Sequence, residues 1–182
     1  MKHSQLSIKT DIEGVFLLKL PHSNDERGLF CKIYNFEYLK DIGHPFLCQE
    51  SFFTISMSNV IRGMHFQIPP YEQYKIASVI NGSIIDVVLD LRKESKTYGK
   101  HLPFELSKND ACAIFISPGI AHGFCSLEDN TIVNYIVSSV YSPGHDMGIH
   151  WNSFGFKWPV HNPVISDRDK NLTKFTEFVT MF

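Results

Sequence analysis

The run Ile76-Ala77-Ser78-Val79-Ile80-Asn81-Gly82-Ser83-Ile84-Ile85-Asp86-Val87-Val88-Leu89-Asp90-Leu91 reads as two strands around a turn. Both arms are rich in β-branched and apolar residues, and Asn-Gly between such arms is the strongest short hairpin signal in the chain. Asp86 and Asp90 interrupt the second arm, and neither arm approaches the roughly 18 apolar residues of a membrane helix. The same strand signal recurs over residues 15–20, 51–57, 112–116 and 131–140. Turn chemistry separates these runs at Ser117-Pro118-Gly119, Glu128-Asp129-Asn130 and Ser142-Pro143-Gly144. Short strands with a turn about every 8–12 residues predict an all-β sandwich or barrel rather than a parallel α/β fold. Two helices are expected beside it. Asn35 caps a short one that runs to Ile42 and stops at Gly43. Residues 167–182 place Leu172, Phe175, Phe178, Val179 and Phe182 at helical spacing, which predicts a C-terminal helix packed on the core.

The chain has 182 residues, 43% of them hydrophobic and 20% charged, enough for a real core without a metal or disulfide staple. Repeats and linkers are absent, so residues 1–182 read as one domain. A net charge of −2 gives no reason to expect nucleic acid or an anionic membrane as partner. The opening MKHSQLSIKTD carries no apolar core of a secretory signal. Cys31, Cys48, Cys112 and Cys125 lie far apart with no CxxC pair, as reduced thiols of a cytoplasmic protein would.

The densest chemistry lies in Ile61-Arg62-Gly63-Met64-His65-Phe66-Gln67-Ile68-Pro69-Pro70, followed by Gln73-Tyr74-Lys75. Pairing of the two flanking strands through the Ile-Pro-Pro turn would turn His65 and Lys75 into one interior. Cationic groups gathered there need an anion or a carboxylate to compensate them. A second segment, Ser117-Pro118-Gly119-Ile120-Ala121-His122-Gly123-Phe124, resembles the second motif of the cupin superfamily of double-sheet jelly rolls. Many cupins hold a divalent ion on three His and one Glu. Here Gln67 stands where a second His belongs and Lys75 about where the acid belongs, so no metal is expected. A His/Lys interior suits removal of a proton from a carbon next to a carbonyl. His supplies a base near neutrality, and Lys faces the oxygen where enolate charge develops. A Tyr can return the proton on the opposite face, and a carboxylate behind the His fixes its tautomer.

The ordered set of motifs resembles the dTDP-4-dehydrorhamnose 3,5-epimerase family. It comprises Asp25-Glu26-Arg27-Gly28, the Arg62-to-Gln67 segment, Gln73-Tyr74-Lys75, Asp90-Leu91-Arg92, Pro118-Gly119-Ile120-Ala121-His122-Gly123-Phe124, Tyr135, Tyr141-Ser142-Pro143, Trp151-Asn152, Trp158-Pro159 and Ser166-Asp167-Arg168-Asp169. The resemblance runs from about residue 8 to 172. It implies a cofactor-free jelly roll (a double-stranded β-helix) with short peripheral helices, forming a homodimer with exchanged N-terminal strands. It implies a nucleoside-diphosphate-linked 4-keto-6-deoxy sugar as substrate, inverted at C3 and/or C5 in deoxysugar biosynthesis for surface polysaccharide. By position, His65 resembles the base, Asp169 its carboxylate partner, Tyr135 the opposing acid and Lys75 the enolate-stabilising group. His122 resembles a residue beside the sugar. Arg27, Arg62 and Arg168 resemble diphosphate contacts, Arg27 reaching toward the other subunit. Gln67, Gln49, Ser51 and Lys32 complete the expected substrate-binding set.

Four departures stand out. Lys32 replaces a Glu of the family, and Gln49-Glu50-Ser51 replaces Gln-Asp-Asn, on what the resemblance makes the base-binding side. A cation in place of an acceptor changes which base edge is satisfied, which leaves GDP- or CDP-linked sugars open beside TDP. Val140 stands where the family often has Tyr, and Ser153 where it has Asp, which leaves control at one carbon open. The other readings are epimerisation at one carbon, a keto-isomerisation, and a non-catalytic nucleotide-sugar binding module.

Overall fold

The protein is described by a computed structural model covering residues 7–182. Its strands are β1 Ser7–Lys9, β2 Val15–Lys19, β3 His22–Asp25, β4 Gly28–Cys31, β5 Glu50–Ser56, β6 Ile61–Gln67 and β7 Lys75–Asn81. They continue with β8 Ser83–Asp90, β9 His101–Ser107, β10 Cys112–Ile116, β11 Ile120–Ser126, β12 Thr131–Val137 and β13 Asp146–Gly148. A six-stranded sheet in the order β1-β2-β10-β7-β12-β5 faces a five-stranded sheet in the order β13-β6-β11-β8-β9, and β3 and β4 form a separate hairpin. All the ladders in these sheets are antiparallel. This is the expected jelly roll, an all-β double-stranded β-helix.

The alternation in each strand sorts its side chains between layers. Ile84 and Val88 of β8 join Val15, Ala77, Ile114, Phe124 and Val133 between the sheets. Val87 and Leu89 point the other way, into a second cluster with Met64, Phe66, Cys125 and the C-terminal segment. A third cluster lies on the back of the six-stranded sheet, where Tyr38, Leu39 and Phe46 cover Phe16, Leu18, Ile76 and Phe115. Helix α1, Phe36–Asp41, supplies part of that cover; the Asn35 side chain accepts from Tyr38 N, and Gly43 follows at φ +82°.

Three expectations need correction. Asn81-Gly82 does turn the chain, with Gly82 at φ +79°, but β7 and β8 belong to different sheets, so it is a crossing rather than a hairpin. The Ile68-Pro69-Pro70 turn likewise carries the chain from β6 in one sheet to β7 in the other, and those strands do not pair. His65 and Lys75 therefore face each other across the interior instead of lying side by side. Residues 167–182 are not one C-terminal helix. Helix α2 spans Asp167–Lys170, and one 3-10 turn spans Phe175–Glu177. Between them Thr173 bridges Ile149 in parallel and accepts from His150 N at 2.8 Å, which ends the helix. Phe178 still packs on the core, but Val179 is left exposed. Among the described residues, no helix is long and apolar enough to cross a membrane.

Candidate active site

A cavity of about 650 Å³ opens between the two sheets. Strand β6 lines it with Arg62, His65 and Gln67, β7 with Lys75, β11 with His122 and β12 with Tyr135. Arg62 and His65 are three positions apart, so a regular strand would turn them to opposite faces. A bulge prevents this. Arg62 pairs with Phe124 and His65 with His122, so three steps on β6 match two on β11. Gly63 makes the bulge possible. Its φ is +137°, and an added Cβ would lie 2.5 Å from the Gly123 Cα.

Asp169 arrives from the far end of the chain. Ser166 caps α2 by accepting from Asp169 N at 3.1 Å, which presents the Asp169 side chain inward, nearly buried. Its Oδ1 lies 2.7 Å from His65 Nε2, and its Oδ2 accepts from Gly63 N at 3.3 Å. Burial opposes its charge, but the hydrogen bonds from His65 and Gly63 and the charges of His65 and Arg168 carry its pKa below the ordinary carboxylate value.

A second His–carboxylate pair lies deeper. His122 Nε2 is 2.6 Å from Asp86 Oδ2, and both residues are buried. Burial lowers the His122 pKa despite Asp86, with Lys75 and His65 adding to the effect. Among the described residues, Asp86 Oδ1 has no hydrogen-bond partner. Asp86 belongs to the site, although in the sequence it reads as a mere interruption of an apolar run; its shared parity with Ile84 and Val88 was the available signal. Lys75 is almost wholly buried. Desolvation brings its pKa down to about 8, held from falling further by Asp86 and Asp146. Tyr135 is stacked on Phe52 at 4.8 Å, and burial and Asp86 raise the pKa of its phenol while Arg62 opposes the rise.

The remaining expected residues divide. His122, Gln67, Arg62 and Arg168 line the cavity. Gln67, however, spends its amide on the backbone: Nε2 donates to Tyr71 O and Val140 O, and Oε1 accepts from Ser142 N. It holds the rim rather than offering free groups to a ligand. Arg27, Lys32, Gln49 and Ser51 do not line this cavity. Arg27 sits at the tip of the β3–β4 hairpin, exposed and paired with Asp25. Lys32 and Gln49 are exposed, and the Ser51 hydroxyl donates to Tyr135 O. Val140 is outside the lining as well; the neighbouring Tyr141 lines the cavity, its N–H donated to Glu50 Oε2 at 2.7 Å. Asp146 had no expected role and Glu50 was expected only as part of the base-binding side, yet both line the cavity. With them the lining carries Arg62, Lys75 and Arg168 against Glu50, Asp146 and Asp169, a balanced set rather than a cationic surplus. Among the described residues, no group of three His, Cys, Asp or Glu is arranged to hold a metal ion.

This geometry can remove a proton on one side of a bound molecule and deliver one on the other. His65 belongs to the five-stranded sheet, while Lys75 and Tyr135 belong to the six-stranded sheet opposite. Comparison with known proteins agrees with that chemistry. The sequence profile described as dTDP-4-dehydrorhamnose 3,5-epimerase matches residues 9–177. A dTDP-4-dehydrorhamnose 3,5-epimerase of Shigella flexneri is 35% identical over 173 residues, covering 93% of this chain and 96% of the relative. The crystal structure of the Bacillus anthracis dTDP-4-dehydrorhamnose 3,5-epimerase with TDP and PPi bound superposes with a TM-score of 0.89 at 36% identity, covering 92% of this chain and 98% of that one. The Legionella pneumophila dTDP-6-deoxy-D-glucose-3,5-epimerase, solved in complex with dTDP-4-keto-L-rhamnose, superposes with a TM-score of 0.88 at 28% identity, covering 93% and 92%.

Proposed function

The chain belongs to the dTDP-4-dehydrorhamnose 3,5-epimerase family, and from that premise we propose that it inverts C3 and C5 of a TDP-linked 4-keto-6-deoxy sugar without a cofactor. The observation that carries the reading is the placement of His65 and Tyr135 on opposing sheets of one cavity, with Lys75 in the same lining and within the field of Asp86 and Asp146. Asp169 takes His65 Nε2, which leaves Nδ1 as the basic nitrogen toward the sugar. His65 removes the proton beside the C4 carbonyl. The ammonium of Lys75 stabilises the enolate oxygen that forms. Tyr135 donates a proton to the opposite face, which inverts the carbon. His122, kept neutral by burial and fixed by Asp86, lies beside the sugar. Arg62 and Arg168 receive the diphosphate, for which a guanidinium is suited. Of the departures behind the expectation of another base, Lys32, Gln49 and Ser51 lie outside the cavity while Glu50 lines it, and the TDP and dTDP-sugar ligands of the two solved relatives support thymidine.

We also infer one epimerase domain over residues 1–182 that works in the cytoplasm as a homodimer with exchanged N-terminal strands. Among the described residues, β1 and β5 are the two edges of the six-stranded sheet and neither has a further strand beside it. Phe53, Ile55 and Met57 stand exposed on the outer face of the β5 edge, as do Leu29 and Phe30 on the hairpin that carries Arg27. An added strand from a partner would cover that edge. Residues 1–6 lie outside the described residues.

The test is solvent exchange. Incubated in deuterium oxide, dTDP-4-keto-6-deoxyglucose is expected to acquire deuterium at C3 and C5. A product labelled at neither carbon overturns the reading.

A further inference from the structure

Arg168 and Asp146 enter the cavity from different segments and meet there, Nη2 to Oδ2, at 2.7 Å. Asp146 opens β13 directly opposite Gln67, so it shares the cavity-facing side of β6 with Gln67 and His65. Arg168 precedes Asp169 on α2. Its side chain is 48% exposed, while that of Asp146 is 11% exposed. The other cations of the cavity are differently placed. Arg62 already donates to Ser56 Oγ and Ile55 O, and Lys75 is buried within. Arg168 is thus the accessible cation at the mouth, and a carboxylate of the same chain occupies it.

We propose that Asp146 is a built-in competitor for Arg168, displaced when the diphosphate of the ligand takes the guanidinium. A half-exposed ion pair is held weakly. A diphosphate brings more charge and several oxygens that suit the guanidinium fork, so it wins the exchange. The displaced carboxylate stays in the cavity, where its charge already supports that of Lys75. Filling the phosphate end of the site then leaves Asp146 free to face the ammonium that stabilises the enolate. Asp146 is on this account a positioning residue that ties diphosphate binding to the electrostatics of Lys75.

The proposal rests on the nucleotide-sugar reading, and the experiment separates the two. TDP is titrated calorimetrically into the full chain and into its Asp146→Asn, Arg168→Met and doubly substituted forms. Asp146→Asn is expected to bind TDP about fivefold more tightly, the scale of an exposed ion pair. In the Arg168→Met background the same change is expected to have no effect. Unchanged or weaker binding by Asp146→Asn overturns the exchange, as does an equal gain in both backgrounds, which would assign the effect to Lys75. Failure of TDP to bind any of the four forms overturns the nucleotide-sugar reading and the exchange with it. Asp146→Ser and Arg168→Lys serve where a first variant does not fold.

Discussion

His65 and His122 are Cα partners across the β6–β11 ladder, and each turns its Nε2 to a different carboxylate, Asp169 and Asp86 respectively. The two pairs differ in burial. The His65 side chain is 30% exposed and that of His122 is 3% exposed. A group that exchanges protons with a substrate needs access, whereas a buried neutral imidazole serves as a fixed dipole. The ladder thus places a working base beside a rigid neighbour, and the bulge at Gly63 brings Arg62 onto the same face as His65.

The first expectation concerns that base. His65→Ala should lower solvent exchange at the sugar by about 10²–10⁴-fold, the contribution of a positioned acid–base group. Asp169→Asn should lower it in the same direction but less, because the imidazole remains while its tautomer is no longer fixed. His122→Asn should keep measurable exchange. Deuterium incorporation followed by NMR separates the three, and exchange surviving intact in His65→Ala would remove His65 as the base.

Much of this site was legible along the chain, because its chemistry is concentrated in short segments. His65, Lys75, Tyr135 and Asp169 announce themselves by type and order. What alternation cannot tell is which sheet a strand joins. Asn81-Gly82 and Ile68-Pro69-Pro70 carry ordinary turn chemistry, and only long-range packing decides that each crosses between sheets. Glu50, Asp86 and Asp146 were hidden for a related reason. A lone acid reads as solvated until the partner that compensates it is known, and those partners lie at positions 141, 122 and 168. The apolar spacing of the tail fits a helix, but the pairing of Thr173 with Ile149 and of Phe182 O with Lys93 N claims its backbone.

The bulge gives a second expectation. Gly63→Ala places a methyl 2.5 Å from the Gly123 Cα in a backbone region that L residues avoid. The obstacle is backbone, which no rotamer change relieves, so unfolding should become easier by about 2–4 kcal/mol. Activity should fall in the molecules that still fold, since Arg62 and His65 share a face only through this bulge. Gly144→Ala, with open space around it, is the control. Urea titration of both variants reads the difference, and equal midpoints would contradict the argument.

The exposed β5 edge gives a third. Ile55→Asp puts a charge on the outer face beside Phe53 and Met57. A monomer would tolerate it, because Ile55 is already 54% exposed. A dimer closed over this face would not, since burying an unpaired carboxylate is costly. Sedimentation should find the unaltered chain dimeric and the variant shifted to monomer, with the variant still folded by circular dichroism at low temperature and its melting point lowered by the loss of the partner. A variant as dimeric as its parent would move the interface elsewhere.

Lys75 connects activity and stability through one pKa, and the two respond to pH in opposite senses. The ammonium stabilises the enolate only while protonated, and its pKa is about 8. The rate at limiting substrate should therefore fall as pH rises through about 8, and Lys75→Met should lack both the activity and that limb. Stability runs the other way. Above about 8 the folded chain has released this proton, while the unfolded chain keeps it up to the ordinary value of 10.5. The unfolded state then binds more protons, so the free energy of unfolding rises with pH across that window, by up to about 3 kcal/mol from this residue. Below about 8 the whole cost of the buried charge is present. Buried tyrosines and cysteines are pushed above this range in the folded chain but titrate within it once unfolded, so the informative quantity is the difference between the parent chain and Lys75→Met. That difference should shift by about 2–3 kcal/mol in favour of the parent between pH 7.5 and 10 in urea titrations. A constant difference would mean that Lys75 keeps its ordinary pKa in the folded chain, and the loss of rate through pH 8 would then belong to another group.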